Sequence, residues 1–231
     1  MRRILSVGLL ALLVGAVAIY WFWPYRPVAI VLASIQSDTI DGLNGVDPIA
    51  PALRELGYDV YSIDLPCHYA GMPNNGLECW NERIAGGETR LLADFCPQVS
   101  ALIDQTHARR VQMVGVSRGG YVAYQCGAQD DRVTEIAQLA PVTDLGRLRE
   151  FEGTYLDPSV FDLDQYADRL SRKSVLIRIG SRDTRVGTDA AVHLGEKIGA
   201  DIELLDVDGH KAPDPDNVMA KWLFDKWQNQ D

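Results

Sequence analysis

The sequence is short of positive charge: 22 Lys and Arg stand against 32 Asp and Glu, a formal net charge of −10. That deficit argues against a nucleic-acid partner or an anionic membrane surface, both of which select for basic faces. Cysteine and histidine are also scarce, at four residues each. No cysteine pair shows C-x-x-C spacing and none has histidines at zinc-finger distance, so no metal centre is expected. Asp38, Asp41, Asn44 and Asp47 cluster, but their irregular spacing does not match an EF-hand and reads as a solvated loop. Internal repeats, low-complexity tracts and a second-domain boundary are absent. With 47% hydrophobic and 23% charged residues in 231, the chain is long and apolar enough for one domain with a full core.

What is present begins with an uncharged stretch from Ile4 to Trp23, behind Arg2 and Arg3. About 20 residues cross the hydrocarbon core as a helix. Trp21, Phe22 and Trp23 suit an aromatic belt at the far interface, with the arginines held on the cytoplasmic side. Residues 1–24 are therefore expected to form an N-terminal transmembrane anchor, with residues 25–231 as the folded domain on the exported side. The alternative is a signal peptide cleaved after Ala16–Ala18, releasing a secreted protein. Export suits the even number of cysteines, Cys67, Cys79, Cys96 and Cys126, which an oxidising space would pair. Three connectivities are open. Cys67–Cys79 with Cys96–Cys126 is favoured, because the second pair would join neighbouring helices; buried free thiols are the alternative.

After "PYRP" the chain alternates short Val/Ile/Leu runs with helical stretches. The runs are residues 28–34, 58–64, 111–116, 134–140, 174–180 and 201–207. Leu91, Leu92, Phe95, Val99, Leu102 and Ile103 mark one helical stripe, with a kink or restart expected at Pro97. Val218, Trp222, Leu223 and Trp227 mark another, opened by Asp214-Pro215-Asp216. Such alternation predicts an α/β fold: a mostly parallel six-stranded sheet with helices on both faces. Residues 142–173 exceed one crossover helix and are expected to include a small cap.

Ligands of an open parallel sheet bind beyond the carboxyl ends of its strands. Ser117, in "GVSRGG", lies just past the third strand. A nucleophile raised on a strand-to-helix turn needs small neighbours two residues away, and Gly115 and Gly119 supply them. A serine at neutral pH needs a base, and the base an orienting acid. Of the histidines, His107 ends a helix on the wrong edge, and His193 lies within a helix. His68 is on the right edge but precedes the serine. His210 follows the last strand, with Gly209 allowing a tight bend. For the acid, Asp183 follows the fifth strand and Asp144 is the runner-up; Asp208 is too close to His210 and reads as loop chemistry.

In "GVSRGG", "GSRDTRV", "DGH" and "DLPCHYAG", and in the order serine, acid, histidine, the chain resembles the α/β-hydrolase superfamily over residues 28 to 228. The resemblance implies Ser117 as nucleophile, His210 as general base and then acid, and Asp183 as orienter of the imidazole. It also implies an oxyanion hole made by the backbone amides of Arg118 and Ile35, although "VLASIQSD" replaces the usual His-Gly after the first strand. The family's leading antiparallel strands are missing, which points to a trimmed form. The expected activity is that of a serine hydrolase, cleaving a carboxylic ester or thioester through an acyl-enzyme. Its expected partner is a small acyl substrate, with no metal or organic cofactor. A peptidase or amidase of the same fold and a non-catalytic, membrane-tethered binding domain are the alternatives. Arg118, Arg182, Arg185 and Lys211 adjoin the three loops. They either steer an anionic substrate or pair with local carboxylates.

Overall fold

The computed structural model describes residues 26–41, 49–69, 76–211 and 213–229. The expected anchor, residues 1–24, and two members of the acidic cluster, Asn44 and Asp47, lie outside the described residues. Among the described residues no helix is long and apolar enough to cross a membrane.

The apolar runs become strands β1 (Val28–Leu32), β2 (Asp59–Tyr61), β3 (Val111–Val116), β4 (Val133–Leu139), β5 (Ser174–Arg182) and β6 (Asp201–Asp208). They form one six-stranded sheet in the order β2-β1-β3-β4-β5-β6, and every neighbouring pair is parallel. The inner strands are covered on both faces, which is why β1 and β3 are buried at every position and read as unbroken apolar runs. β6 is an edge strand, and its residues alternate between exposed and partly covered. β2 is the other edge and pairs over three residues, fewer than its apolar run suggests. β1 also stops early, at Leu32, because the chain turns there and the Leu65 amide bonds the Ser34 carbonyl.

The helices are α1 (Gln36–Asp41), α2 (Ile49–Glu55), α3 (Gly76–Ala85), α4 (Cys96–Thr106), α5 (Arg118–Gln129), α6 (Pro158–Phe161), α7 (Ala167–Leu170), α8 (Thr188–Ile198) and α9 (Val218–Gln228). On one face of the sheet Leu32, Met113, Ile136 and Ile177 pack with Ile103 of α4, Val122 of α5 and Leu194 of α8. On the other, Ala29, Val31, Val114 and Ala137 pack with Leu53 of α2 and Met219 and Leu223 of α9. Period-two alternation along each strand sends successive side chains into these two cores. Of the kink or restart expected at Pro97, the structure has the restart: a short turn at Ala93–Phe95 gives way to α4, and Pro97 sits in its first turn, where its missing N–H costs no hydrogen bond. Asp214 opens α9 as expected, its carboxylate accepting from the Val218 and Met219 amides.

Residues 142–173 form short turns, at Leu145–Arg147, Arg149–Phe151 and Leu163–Tyr166, together with α6 and α7. Phe151, Phe161, Leu163 and Leu170 from this segment are buried in the same core as α5. Two disulfides close the fold: Cys67–Cys79, and Cys96–Cys126 between α4 and α5. Both match the favoured pairing.

Candidate active site

The carboxyl ends of the parallel strands deliver the polar side chains of one rim. β3 ends at Val116, and the next residue turns sharply into α5: Ser117 has φ 51° and ψ −119°, in the left-handed region. Such a conformation in a residue with a Cβ survives only where the surroundings over-determine it. They do so here. The Ser117 amide donates to Leu139 O (3.0 Å), and its carbonyl accepts from Gly120 N (2.9 Å) and Val142 N (2.8 Å). The two flanking glycines are steric requirements. A Cβ on Gly119 would collide with the Leu32 carbonyl at the end of β1, and one on Gly115 with the Gln138 side chain and Gly120 Cα. Gly119 thus brings the turn between β1 and α1, which contains Ile35, alongside the elbow. The Arg118 amide is the first of α5.

His210 and Asp183 come to the same rim from β6 and β5. Gly209, at φ 71°, bends the chain after β6. Ser117 Oγ lies 2.9 Å from His210 Nε2, and His210 Nδ1 lies 2.8 Å from Asp183 Oδ2. A carboxylate only accepts, so Nδ1 carries the proton and Nε2 presents its lone pair to the serine hydroxyl. Asp183 is 2% exposed, and its second oxygen accepts from Arg185 N (2.9 Å) and Val186 N (3.2 Å). Burial alone would raise its pKa, but the hydrogen bonds and charge of His210 and the two amides outweigh burial and hold it below the usual carboxylate range. Asp183 is therefore anionic at neutral pH. The stability this shift contributes is present above the unfolded pKa and is lost as pH falls through the folded one.

The other sequence candidates lie elsewhere. Asp144 caps a turn, accepting from Gly146 N at 2.8 Å. Asp208 pairs with Arg182, which also holds Asp206. His107 is the exposed left-handed cap of α4, and exposed His193 lies 3.5 Å from Asp164. Among the described residues no group of three His, Cys, Asp or Glu side chains could hold a metal ion.

Sequence reasoning set His68 aside, yet it is part of this rim. Its ring is 6% exposed and packs edge-on against Trp80, at a centroid distance of 5.6 Å. Its Nδ1 donates to Pro66 O (2.7 Å), and its Nε2 accepts from Arg118 Nη1 (2.9 Å). Trp80 Nε1 donates to the same carbonyl, and the Cys67–Cys79 disulfide ties the two segments together. Burial pushes the His68 pKa down to about 4; the Pro66 carbonyl and Asp64 oppose this and the Arg118 charge adds to it. The ring is neutral in the fold but protonates near pH 6.5 once unfolded. Its contribution to stability is therefore full above pH 6.5 and is lost as pH falls to about 4, by on the order of 3 kcal/mol. Urea midpoints across this range should fall with pH in the wild type, and His68→Gln should lack that component. Equal slopes for the two proteins would contradict it.

Glu150, the partner of Arg185, also escaped the sequence reading. Glu150 has its side chain 3% exposed, and both its oxygens accept from Arg185 Nη2, at 2.6 and 2.7 Å. No motif in "RLREFEG" marks this partner; only the fold brings the turn after β4 to the loop after β5.

A family model described as "Alpha/beta hydrolase family" matches residues 12–225. No curated protein matches the sequence. Among solved structures, the chain is similar to a Paleococcus ferrophilus monoacylglycerol lipase (14% identity, TM-score 0.57, covering 87% of this chain and 96% of that one). It is similar to Est1E from Butyrivibrio proteoclasticus, solved with ferulic acid bound (16%, TM-score 0.62, 90% of each chain). It is also similar to a Pyrococcus furiosus esterase (17%, TM-score 0.59, 88% of this chain and 81% of that one). At such identities the likeness is one of fold.

Proposed function

The chain belongs to the alpha/beta hydrolase family, and on that premise we propose that it is a serine hydrolase cleaving a carboxylic ester or thioester through an acyl-enzyme. The observation that carries this reading is the hydrogen-bonded line from Ser117 Oγ through His210 to Asp183, at 2.9 and 2.8 Å. Ser117 attacks the acyl carbonyl as His210 Nε2 takes its proton. The tetrahedral oxyanion meets the backbone amides of Arg118 and Ile35, at the positive end of α5. His210 then returns the proton to the departing alcohol or thiol. Water repeats the sequence on the acyl-enzyme, with His210 as base and Ser117 as leaving group. Asp183 keeps the proton on Nδ1 and stabilises the imidazolium.

Residues 1–24 are proposed to anchor the enzyme in a membrane, with residues 25–231 forming the hydrolase domain on the exported side. The two disulfides support an oxidising compartment. The segment 142–173 is proposed to cap part of the rim, since Glu150 from it reaches Arg185 beside Asp183.

Turnover of para-nitrophenyl acyl esters of increasing chain length, set beside aminoacyl para-nitroanilides, tests the activity. The expected result is ester hydrolysis with the anilides essentially inert. Hydrolysis confined to the anilides would establish an amidase instead. A folded protein inert to both would favour the non-catalytic, tethered domain.

A further inference from the structure

Four strand ends converge on a cluster of charge beside the nucleophile. Arg118 follows Ser117 at the end of β3, and Arg185 stands two residues after Asp183 at the end of β5. Glu150 comes from the turns after β4 and His68 from beyond β2. The two guanidiniums are close enough for Arg185 to depress the Arg118 pKa, second to burial itself. One buried carboxylate, Glu150, meets Arg185 and lies 3.5 Å from the exposed Arg149. His68 meets Arg118 with a neutral ring and adds no negative charge. The cluster thus sets Glu150 against Arg185 and a neutral His68 ring against Arg118.

Its hydrogen bonding is also incomplete. Glu150 straddles a single nitrogen, Arg185 Nη2, instead of bridging both ends of the fork. Arg185 Nη1 is buried and has no hydrogen-bond partner among the described residues. A buried, charged donor left unmatched is costly, and such groups are rare in native proteins. A guanidinium suits planar, two-pronged recognition of a carboxylate. An entering carboxylate would satisfy Nη1.

We propose that Arg118 and Arg185 form a carboxylate-binding subsite beside Ser117, and that the substrate is an ester whose acyl part ends in a carboxylate. This rests on the acyl-transfer reading of Ser117 given above. The acyl side is assigned from where the guanidiniums reach. His210 arrives from β6 and must protonate the leaving alcohol, so the alcohol lies towards it. His68 draws the Arg118 guanidinium the other way, towards β2. Arg185 starts at the end of β5, but its guanidinium turns back from β6 to Glu150, which follows β4. The products are a dicarboxylate and an alcohol.

The test compares para-nitrophenyl hemiglutarate with the uncharged para-nitrophenyl valerate at low salt. One charge-assisted hydrogen bond is worth enough for about a tenfold or greater preference in kcat/KM for the hemiglutarate, shrinking as salt is added. Arg185→Gln should bring the ratio of the two kcat/KM values close to one. Glu150→Gln, which removes the competing carboxylate, should raise the ratio above that of the wild type. Opposite movement of the two ratios is not expected if the cluster serves only to hold the fold. Glutarate should also compete with fluorophosphonate labelling of the wild type, and less well in Arg185→Gln. If Arg185→Gln does not fold, Glu150→Gln decides, and a ratio that stays level or falls overturns the subsite. A wild-type ratio near one, with valerate ester still hydrolysed, also overturns the subsite while leaving the serine hydrolase reading intact. No hydrolysis of either ester and no labelling would remove the reading beneath it.

Discussion

Ser117→Ala is expected to lower kcat for ester hydrolysis by on the order of 10⁴–10⁶ while leaving the fold unchanged. The substitution removes one atom, Oγ, whose bond to His210 Nε2 is a surface-facing contact of 2.9 Å. Ser117 makes no side-chain cap to α5, so the helix loses nothing. The backbone bonds that hold φ at 51° belong to the main chain and to Leu139, Gly120 and Val142. Alanine tolerates that conformation no worse than serine does. Residual turnover would come from the amides and from substrate positioning. Unchanged thermal unfolding together with the loss of kcat checks the prediction. A loss below about tenfold, in folded protein, would mean that another group performs the attack.

Asp183→Asn is expected to lower kcat by about 10⁴ with little change in KM. Asparagine keeps an oxygen for the Arg185 and Val186 amides, so the loop stays in place. Facing His210, however, it can present its NH₂ to Nδ1. The ring would then carry its proton on Nε2, pointed at Ser117 Oγ, and lose the lone pair that accepts the hydroxyl proton. The negative charge that stabilises the imidazolium disappears as well. Asp144→Asn is the control, because its carboxylate caps a turn at Gly146; kcat should change by less than about threefold. A reversal of the two effects would move the orienting role to Asp144. Combining Asp183→Asn with Ser117→Ala should add little to the loss from Ser117→Ala alone, since the three residues act as a unit.

The fold was legible because its information is local. Runs such as "VQMVGV" are apolar at every position, as a strand covered on both faces must be. The glycines beside Ser117 show how closely strand and helix must pass. Strand ends were less legible: β1 stops at Leu32 because of a turn secured from far along the chain, by the Leu65 amide on the Ser34 carbonyl. The order of strand-end residues also singled out Ser117, Asp183 and His210, which the structure brings together. What sequence could not supply was long-range pairing of charge. Arg178 is a charged residue in an apolar run, and nothing local says that it is 4% exposed, paired with Glu203 and buried Asp214. His68 looked dispensable because it precedes the serine. Its contact with Arg118 joins residues fifty positions apart, which no local pattern records. The arginines beside the loops divide: Arg182 pairs with exposed Asp206 and Asp208, whereas Arg185 is held against buried Glu150. The same residue type thus serves two different environments.

The central claim is that Ser117 is chemically activated by its neighbours, and a fluorophosphonate probe tests this most directly. Incubated with the full-length protein and followed by peptide mass mapping, the probe should add one phosphonyl group, on the peptide containing Ser117. The adduct should vanish in Ser117→Ala and form far more slowly in Asp183→Asn. Folded wild-type protein that stays unmodified, or carries the adduct on a different serine such as Ser34, would contradict the account.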